Sequence, residues 1–361
     1  MARISPPTHY TRIVLAERPE TNITPTTFRA ETVPFDLKPG PGEIVVRVDW
    51  ISLDPAMRGW LKDTRNYMPP VQIGAVMRSL GLCTVIEAGE GCKLLPGDLV
   101  SGRPGWTEYT VMREVEITQK IEIPPGAQLL DFLGPLGIAG GFTAYFGLLD
   151  VAKIKAGETL VVSGAAGHVG SLACQIGKLH GAKVIGIAGT DQKCRWLTEE
   201  LKIDAALNYK SPSFHDDFRN VVGYLDVFFD NVGGDILDFA LTRLNRGARI
   251  TLCGAISQYN TLNPKGIVYY INLLIQRAKI EGFIVSDYVE RYPEAFRELS
   301  KWISEGHIIR KYHIVEGLER APEALPLLFT GDNTGKLYVP PFPLPSAPLG
   351  ELIGPQSRSG F

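Results

Sequence analysis

The chain has 361 residues, 45% of them hydrophobic and 21% charged, which is enough apolar material for the cores of about two domains. Its formal net charge of -2 argues against a protein built mainly to bind nucleic acid or an anionic membrane. The best apolar run, residues 266–275, is shorter than the roughly 20 residues needed to span a bilayer, and prolines interrupt the N-terminus where a signal peptide would be apolar. We therefore expect a cytosolic protein.

The five cysteines and six histidines are scattered along the chain. They form no C-x-x-C or H-x-x-x-H pair, although zinc sites usually draw on closely spaced ligands. The odd cysteine count is typical of free thiols in a reducing compartment. The spacing therefore predicts neither a disulfide framework nor a bound metal.

Three zones follow one another along the chain. Up to about residue 130, short β segments alternate with Pro and Gly, as in the runs 43–53, 82–91, 97–102 and 105–112, which predicts an antiparallel barrel-like domain. From about Leu133 to Gly306, apolar β runs alternate with stretches of helix length, the pattern of a parallel sheet with crossover helices. These β runs begin at Thr159, Lys183, Leu225, Ala248 and Lys279.

The chain then returns to β structure. We predict one domain from residues 1–132, completed by 307–340, and a second from residues 133–306. Residues 341–361 are rich in proline and then polar, and we expect them to be a disordered tail.

The sharpest motif is a glycine loop between a strand and a helix. The apolar run from Thr159 leads into the sequence GAAGHVG, residues 164–170, and apolar residues then recur at helical spacing. Such a turn lets a pyrophosphate approach the backbone N–H groups at a helix N-terminus. A dinucleotide site is thus favoured over the alternative, an ordinary turn that needs glycine for packing.

The end of the next strand distinguishes NADP from NAD. NAD sites usually have Asp or Glu there, to bind the ribose 2′-hydroxyl. Here the strand ends in Gly189 and Thr190, with Lys193 and Arg195 close behind, which favours NADP. Asp191 is the counter-argument, although it could simply occupy the first turn of a helix, and Lys193 could be a solvated helix residue.

Two further loops follow predicted parallel strands. The sequence DNVGG, residues 230–234, comes after the run from Leu225, and CGAISQY, residues 253–259, comes after the run from Ala248. Ligands of open α/β sheets bind at such carboxyl ends. Each loop could instead be a glycine-rich turn without a ligand.

Taken in order, GAAGHVGS, NYK (208–210), FDNVGG, CGAISQY and GDNTGK resemble the zinc-free medium-chain dehydrogenases/reductases. More narrowly, they resemble the NADP-dependent alkenal/one double-bond reductases, the group that contains prostaglandin reductase. The N-terminal SLDPAMRGW and GWTEY are similar to the same group, so the likeness covers about residues 13–339. It implies an α/β fold, with a doubly wound Rossmann sheet that binds NADP and a GroES-like β-barrel substrate domain, in a homodimer.

The resemblance also implies the site residues. Tyr259 is the candidate catalytic residue, orienting the nicotinamide ribose or relaying a proton, and a purely structural contact is the alternative. The implied NADP contacts are Gly164, Gly167, His168, Val169, Gly170, Lys193, Tyr209, Asn231, Cys253, Gly254, Ala255, Ile256, Ser257, Gln258, Tyr259, Phe283, Ile284, Val285 and Asn333.

One position departs from the family pattern. Ala56 stands in the stretch DPAMR where an aromatic residue, usually Tyr, borders the substrate. We expect a more open pocket, lined by Trp60 or Tyr67, and this allows a substrate from secondary-metabolite biosynthesis.

The expected reaction is zinc-independent reduction of a C=C bond conjugated to a carbonyl, in a small enone or enal, with hydride delivered to the β-carbon. The alternatives are a zinc-free NADPH-dependent carbonyl or quinone reductase and a non-catalytic NADPH-binding protein. A zinc-dependent alcohol dehydrogenase is disfavoured because the chain lacks closely spaced ligands.

Overall fold

The computed structural model describes residues 6–344, and these form two compact units. The antiparallel unit contains residues 6–123, Gln128–Leu133 and 312–344, and the parallel unit contains Pro124–Ala127 and Gly134–Lys311. The assignment of one domain to substrate and the other to cofactor stays a prediction. Of the predicted tail, residues 345–361 lie outside the described residues, whereas the Phe342 ring packs edge-on against Tyr109 in the antiparallel unit.

The strands, numbered along the chain, are β1 His9–Leu15, β2 Phe28–Pro34, β3 Glu43–Leu53, β4 Gly81–Ala88, β5 Leu99–Gly102, β6 Tyr109–Arg113, β7 Gln119–Lys120, β8 Thr159–Ser163, β9 Lys183–Ala188, β10 Ala205–Asn208, β11 Leu225–Asp230, β12 Leu244–Leu252, β13 Lys279–Gly282, β14 Tyr312–Ile314 and β15 Lys336–Val339. The α-helices are α1 Met57–Trp60, α2 Thr143–Tyr145, α3 His168–Leu179, α4 Asp191–Glu199, α5 Phe214–Val221, α6 Gly234–Ala240, α7 Ile271–Gln276, α8 Tyr292–Ser304, α9 Ala321–Ala324 and α10 Leu327–Thr330. Short 3₁₀ turns cover Glu114–Glu116, Leu129–Leu133, Leu241–Arg243, Ile256–Gln258, Val285–Arg291 and Leu318–Arg320, and π-helical turns cover Ile138–Phe142 and Phe146–Val151.

The antiparallel unit is built around β3. This strand pairs with β4, with β6 at its start and with β15 at its end, within a seven-stranded sheet. β1 and β2 form a separate hairpin. Val46, Val48 and Ile51 of β3 are fully buried with Trp106, because apolar side chains of these strands turn to one core.

The parallel unit holds a six-stranded sheet in the order β10-β9-β8-β11-β12-β13. β8, β9, β11 and β13 begin where the apolar runs were predicted, while β12 starts earlier, at Leu244. The strand order reverses between β8 and β11, and ligands of such sheets bind at the carboxyl ends beside this reversal. The predicted α/β fold class, with a doubly wound parallel sheet and an antiparallel sheet, is confirmed.

Within residues 6–344, no helix combines the length and apolarity that a membrane crossing requires.

Candidate cofactor site and active site

The glycine loop joins β8 to α3. Gly167 is the N-cap of α3 and provides no side-chain cap, and the first turn of α3 has no acidic residue. Gly164 has a φ of 59°, and a Cβ on Gly170 would lie 2.3 Å from the Gly164 carbonyl oxygen. Only glycine permits this close approach of helix and strand. A helix start without a side-chain cap and with the positive end of the helix dipole fits a pyrophosphate.

His168 and Val169 follow in the first turn of α3. The His168 ring packs against the π-helical turn Ile138–Phe142, because a Cβ on Gly140 would lie 2.1 Å from the ring atoms Cε1 and Nε2. The side chain of His168 is therefore engaged in packing within the parallel unit. We therefore expect His168 to contact the cofactor through its backbone N–H at the start of α3, and not through its ring.

At the end of β9, Gly189 lies against the ring of Tyr209. A Cβ on Gly189 would be 3.0 Å from Cε1 and 3.2 Å from the hydroxyl oxygen of Tyr209, so a side chain at position 189 would have to displace the ring. Thr190 caps α4 by accepting a hydrogen bond from the Lys193 backbone N–H at 3.2 Å. The ammonium of Lys210 lies 5.9 Å from the centroid of the Tyr209 ring. This end of the sheet therefore presents a cation, Lys210, and the aromatic ring of Tyr209.

Asp191, the acidic residue nearest to this strand end, has a partner. The Asn208 amide Nδ2 donates a hydrogen bond to Asp191 Oδ1 at 2.8 Å, and Asn208 Oδ1 accepts one from the Lys210 backbone N–H at 3.0 Å. Asp191 is also the first residue of α4, where a negative charge interacts favourably with the helix dipole.

Two buried residues outside the predicted site residues, Ser163 and Asp230, are hydrogen-bonded to each other. Ser163 Oγ donates to Asp230 Oδ1 at 2.6 Å and accepts from the Asn231 backbone N–H at 2.9 Å. The same carboxylate oxygen accepts from the N–H groups of Val232 and Gly233. Burial raises the pKa of Asp230 above its ordinary value, against the opposing effect of these hydrogen bonds.

This pair shapes the turn after β11, because it fixes Asn231, whose Nδ2 donates to the Ser163 carbonyl at 2.7 Å. The available signal was a polar residue ending each of two apolar strands that the fold makes neighbours, VVS and FFD.

The loop after β12 is tied to the loop after β11 through its backbone. The N–H groups of Cys253 and Gly254 donate to the Asp230 carbonyl at 2.9 and 3.1 Å, and that of Ile256 donates to the Asn231 carbonyl at 3.2 Å. Ser257 Oγ donates to the Val232 carbonyl at 2.6 Å. The two loops that were predicted to bind a ligand, after β11 and after β12, are thus joined by hydrogen bonds.

Tyr259 closes this loop on itself. Its hydroxyl oxygen accepts a hydrogen bond from the Ala255 N–H at 3.1 Å, and a Cβ on Gly254 would lie 3.1 Å from that oxygen. The oxygen acts as acceptor in this bond, so the bond itself does not use the hydroxyl proton.

A cavity of about 580 Å³ in the parallel unit adjoins this loop. Seven predicted site residues line it, namely Cys253, Gly254, Ala255, Gln258, Tyr259, Phe283 and Ile284. Leu237, Leu252 and Ile267 add apolar surface, and Lys265 and Asp287 add charges. The glycine loop, Lys193 and Tyr209 are not among the residues that line this cavity.

The Cys253 thiol is expected to remain protonated and unreactive. Burial, with a contribution from the nearby Asp230, raises the pKa of the Cys253 thiol to about 12. A protonated thiol is a poor nucleophile and a poor metal ligand. Within residues 6–344 no group of three or more His, Cys, Asp or Glu side chains could hold a metal ion.

Of the remaining predicted residues, Val285 begins a 3₁₀ turn in the parallel unit, and the others lie in the antiparallel unit. Ala56 is the N-cap of α1 and Trp60 ends this helix, and Trp60 Nε1 donates to the Tyr67 hydroxyl at 3.3 Å. Tyr67 is 50% exposed. Asn333 is buried and donates from Nδ2 to the Gly335 carbonyl at 3.0 Å, a bond within its own turn.

Two family models match the chain, one described as the N-terminal domain of oxidoreductase over residues 11–120 and one as zinc-binding dehydrogenase over residues 169–305. NADPH-dependent curcumin reductase of Escherichia coli (strain K12) is 38% identical over 91% of this chain and 96% of its own. The NADP(+)-dependent 2-alkenal reductase of Nicotiana tabacum is 35% identical over 85% of this chain and 90% of its own.

A solved structure of an NADPH complex is also similar to this chain over most of its length. The crystal structure of CurA from Vibrio vulnificus in complex with NADPH has a TM-score of 0.85 and 38% sequence identity, covering 93% of this chain and 100% of that one. The family expected from the motifs is thereby confirmed: the chain belongs to the zinc-free branch of the medium-chain dehydrogenase/reductase family, as an NADP-dependent oxidoreductase.

Proposed function

We propose that this protein is an NADPH-dependent reductase of C=C bonds conjugated to a carbonyl. The observation that carries the proposal is Tyr259, whose hydroxyl is fixed by Ala255 at the wall of the cavity after β12. The names of the curcumin and 2-alkenal reductases support the substrate class, and the name of the latter denotes an aldehyde conjugated to a double bond.

The parallel unit fits NADPH on two observations. The glycine loop leaves the N-terminus of α3 without a side-chain cap, which suits the pyrophosphate. The end of β9 has Gly189 where a carboxylate would select NAD, with Lys193 nearby for a 2′-phosphate. NADPH, when bound, supplies the hydride that reduces the β-carbon of the double bond.

The contribution of Tyr259 is to hold or move a proton. Reduction of an enone adds hydride at the β-carbon, places negative charge on the carbonyl oxygen and finally requires a proton at the α-carbon. A hydroxyl positioned by the Ala255 N–H can stabilise the developing charge by donating a hydrogen bond, or can pass on the proton. The Cys253 thiol, with its raised pKa, takes no part in this.

The proposed substrate contacts in the antiparallel unit are Ala56, Trp60 and Tyr67. Ala56 is a small residue at the start of α1, which ends at Trp60, and Trp60 Nε1 donates to the Tyr67 hydroxyl. We therefore propose that bulky enones are accepted, and this is compatible with a biosynthetic substrate. Replacing Ala56 by Tyr should reduce turnover of bulky enones and leave small enals unaffected or improved.

We further propose a homodimer in the cytosol. In the described part of the sheet β13 pairs on one side alone, with β12, and Val268, Tyr270 and Leu274 nearby are more than half exposed. Antiparallel pairing of two copies of β13 about Ile280 would set Lys279 opposite Glu281 of the second copy. Analytical ultracentrifugation should find a dimer, and Leu274→Arg should weaken it.

The reaction is tested with matched substrates. We expect NADPH oxidation with a 2-alkenal or an enone, giving the saturated carbonyl compound, and none with the saturated aldehyde or an isolated alkene. An allylic alcohol as product, or oxidation with a quinone alone, would identify a carbonyl or quinone reductase. NADPH binding without turnover of any of these compounds would identify a binding protein.

A further inference from the structure

A carboxylate, that of Asp191, lies shortly after β9, the strand whose end is expected to distinguish NADP from NAD. Asp191 is two residues beyond Gly189, and its carboxylate could accept a hydrogen bond from a ribose 2′-hydroxyl or repel a 2′-phosphate. Either effect would favour NADH over NADPH. A preference for NADPH therefore requires that the Asp191 carboxylate be held away from the site of the 2′-phosphate.

Asn208 does this through both ends of its side-chain amide. Its Nδ2 donates to Asp191 Oδ1 at 2.8 Å while its Oδ1 accepts from the Lys210 N–H at 3.0 Å. The amide cannot rotate to reverse these roles without placing its NH₂ group against the Lys210 N–H. The bond to Asp191 is therefore built into the end of β10, where Asn208 pairs in register with Ala188.

We propose that Asn208 sets the cofactor preference by holding the Asp191 carboxylate on the β10 side of the strand end. Asn208 is a positioning residue that acts through Asp191, and this inference rests on the proposed binding of NADPH. Gly189 has no side chain that could compete at this strand end, and Asn208 holds the Asp191 carboxylate on the β10 side of it.

The test is a double-mutant cycle on cofactor binding. The dissociation constants of NADPH and NADH are measured by calorimetry for the full chain without substrate. The variants are Asn208→Ala, Asp191→Asn and the double variant. Asn208→Ser serves as a second probe, because its hydroxyl can accept from Lys210 but is too short to reach Asp191. Asp216→Asn, which removes an exposed carboxylate from α5, is the control for net charge. Thermal melts check that each variant is folded.

Releasing Asp191 should lower the preference for NADPH. We expect Asn208→Ala and Asn208→Ser each to reduce the NADPH:NADH affinity ratio about fivefold, the size of an exposed charge interaction. Adding Asp191→Asn to Asn208→Ala should restore the ratio, whereas Asp191→Asn in the native background should change it much less. Asp216→Asn should leave the ratio at the wild-type value.

Two results would overturn the inference. One is an unchanged ratio in folded Asn208→Ala and Asn208→Ser variants, and the other is an equal effect of Asp191→Asn in both backgrounds. Failure of the proposed function looks different, because the wild-type protein would then bind NADH as tightly as NADPH, or bind neither.

Discussion

β9 and β12 belong to one parallel sheet, yet the segments that follow their carboxyl ends are held by different kinds of hydrogen bond. After β9, the features that we propose distinguish the cofactors are side chains at the start of α4 and the end of β10, held by hydrogen bonds between side chains and to the backbone. After β12, the loop is held by backbone N–H groups that donate to the neighbouring loop, and one hydroxyl closes it.

This difference predicts how each end responds to substitution. Charges at the end of β9 can be exchanged without loss of the fold, so variants there should change cofactor preference selectively. The loop after β12 is held by a network of hydrogen bonds to the loop after β11 and to the Tyr259 hydroxyl. Variants in this loop should therefore affect turnover and stability together.

The largest effect is expected for Tyr259→Phe. We expect kcat for an enone to fall about a hundredfold, as acid–base roles commonly contribute, with a smaller loss of NADPH affinity. Stability should fall by about 1 kcal/mol because the Ala255 N–H loses its acceptor. Steady-state kinetics and urea unfolding measure both, with Tyr224→Phe, an exposed tyrosine beside Arg243, as the control. Full activity in Tyr259→Phe would give the tyrosine a structural role only.

Lys193→Ala should act on the cofactor alone. The charge-assisted bond to a 2′-phosphate contributes roughly 1.5–3 kcal/mol, so NADPH should bind at least about tenfold more weakly while NADH is unaffected. Fluorescence titration measures both constants, and Lys301→Ala on α8 controls for loss of a positive charge. An equal loss for both cofactors would show that Lys193 does not distinguish them.

The buried Asp230 beneath the β12 loop gives a pH signature. Its pKa is raised in the folded protein, so between the unfolded and folded pKa values the native state binds more protons. Stability contributed by this group is thus lost as pH rises above about 4, by at most about 1.4 kcal/mol per pH unit.

Urea unfolding of wild type and Asp230→Asn across pH tests this, because the variant cannot ionise. We expect wild type to lose stability relative to the variant as pH rises through this window. A constant difference across the window would contradict the raised pKa.

The smallest effect is expected from chelation. Neither strand end has a metal-ligand set, and residues 6–344 contain no group of three or more His, Cys, Asp or Glu side chains that could hold a metal ion. Prolonged treatment with a chelator should therefore leave enone reduction unchanged. Stoichiometric zinc that is lost together with activity would contradict the assignment to a metal-independent reaction.

Local patterns made most of the parallel sheet predictable. The apolar runs at Thr159, Lys183 and Leu225 begin the strands observed, because buried parallel strands need continuous apolar sequence. β10, only four residues long and partly exposed, carries no such pattern and was not predicted. The motif-based family assignment was confirmed by the relatives.

The contacts that define the candidate site join residues distant in sequence, so local patterns could at most mark the residues and not pair them. Asn208 and Asp191 are 17 positions apart, and Ser163 and Asp230 are 67 apart. The π-helical turn at Ile138–Phe142 depends on close backbone packing, since a Cβ on Gly141 would lie 1.7 Å from the Pro135 carbonyl oxygen. Neither propensity nor periodicity contains such information.

The central claim is that hydride reaches the β-carbon of a conjugated double bond, and isotope transfer tests it most directly. NADPH deuterated at the transferable position of the nicotinamide is turned over with a 2-alkenal, and the product is analysed by NMR. We expect a saturated aldehyde with deuterium at the β-carbon and none at the carbonyl carbon. Deuterium at the carbinol carbon of an allylic alcohol would contradict it.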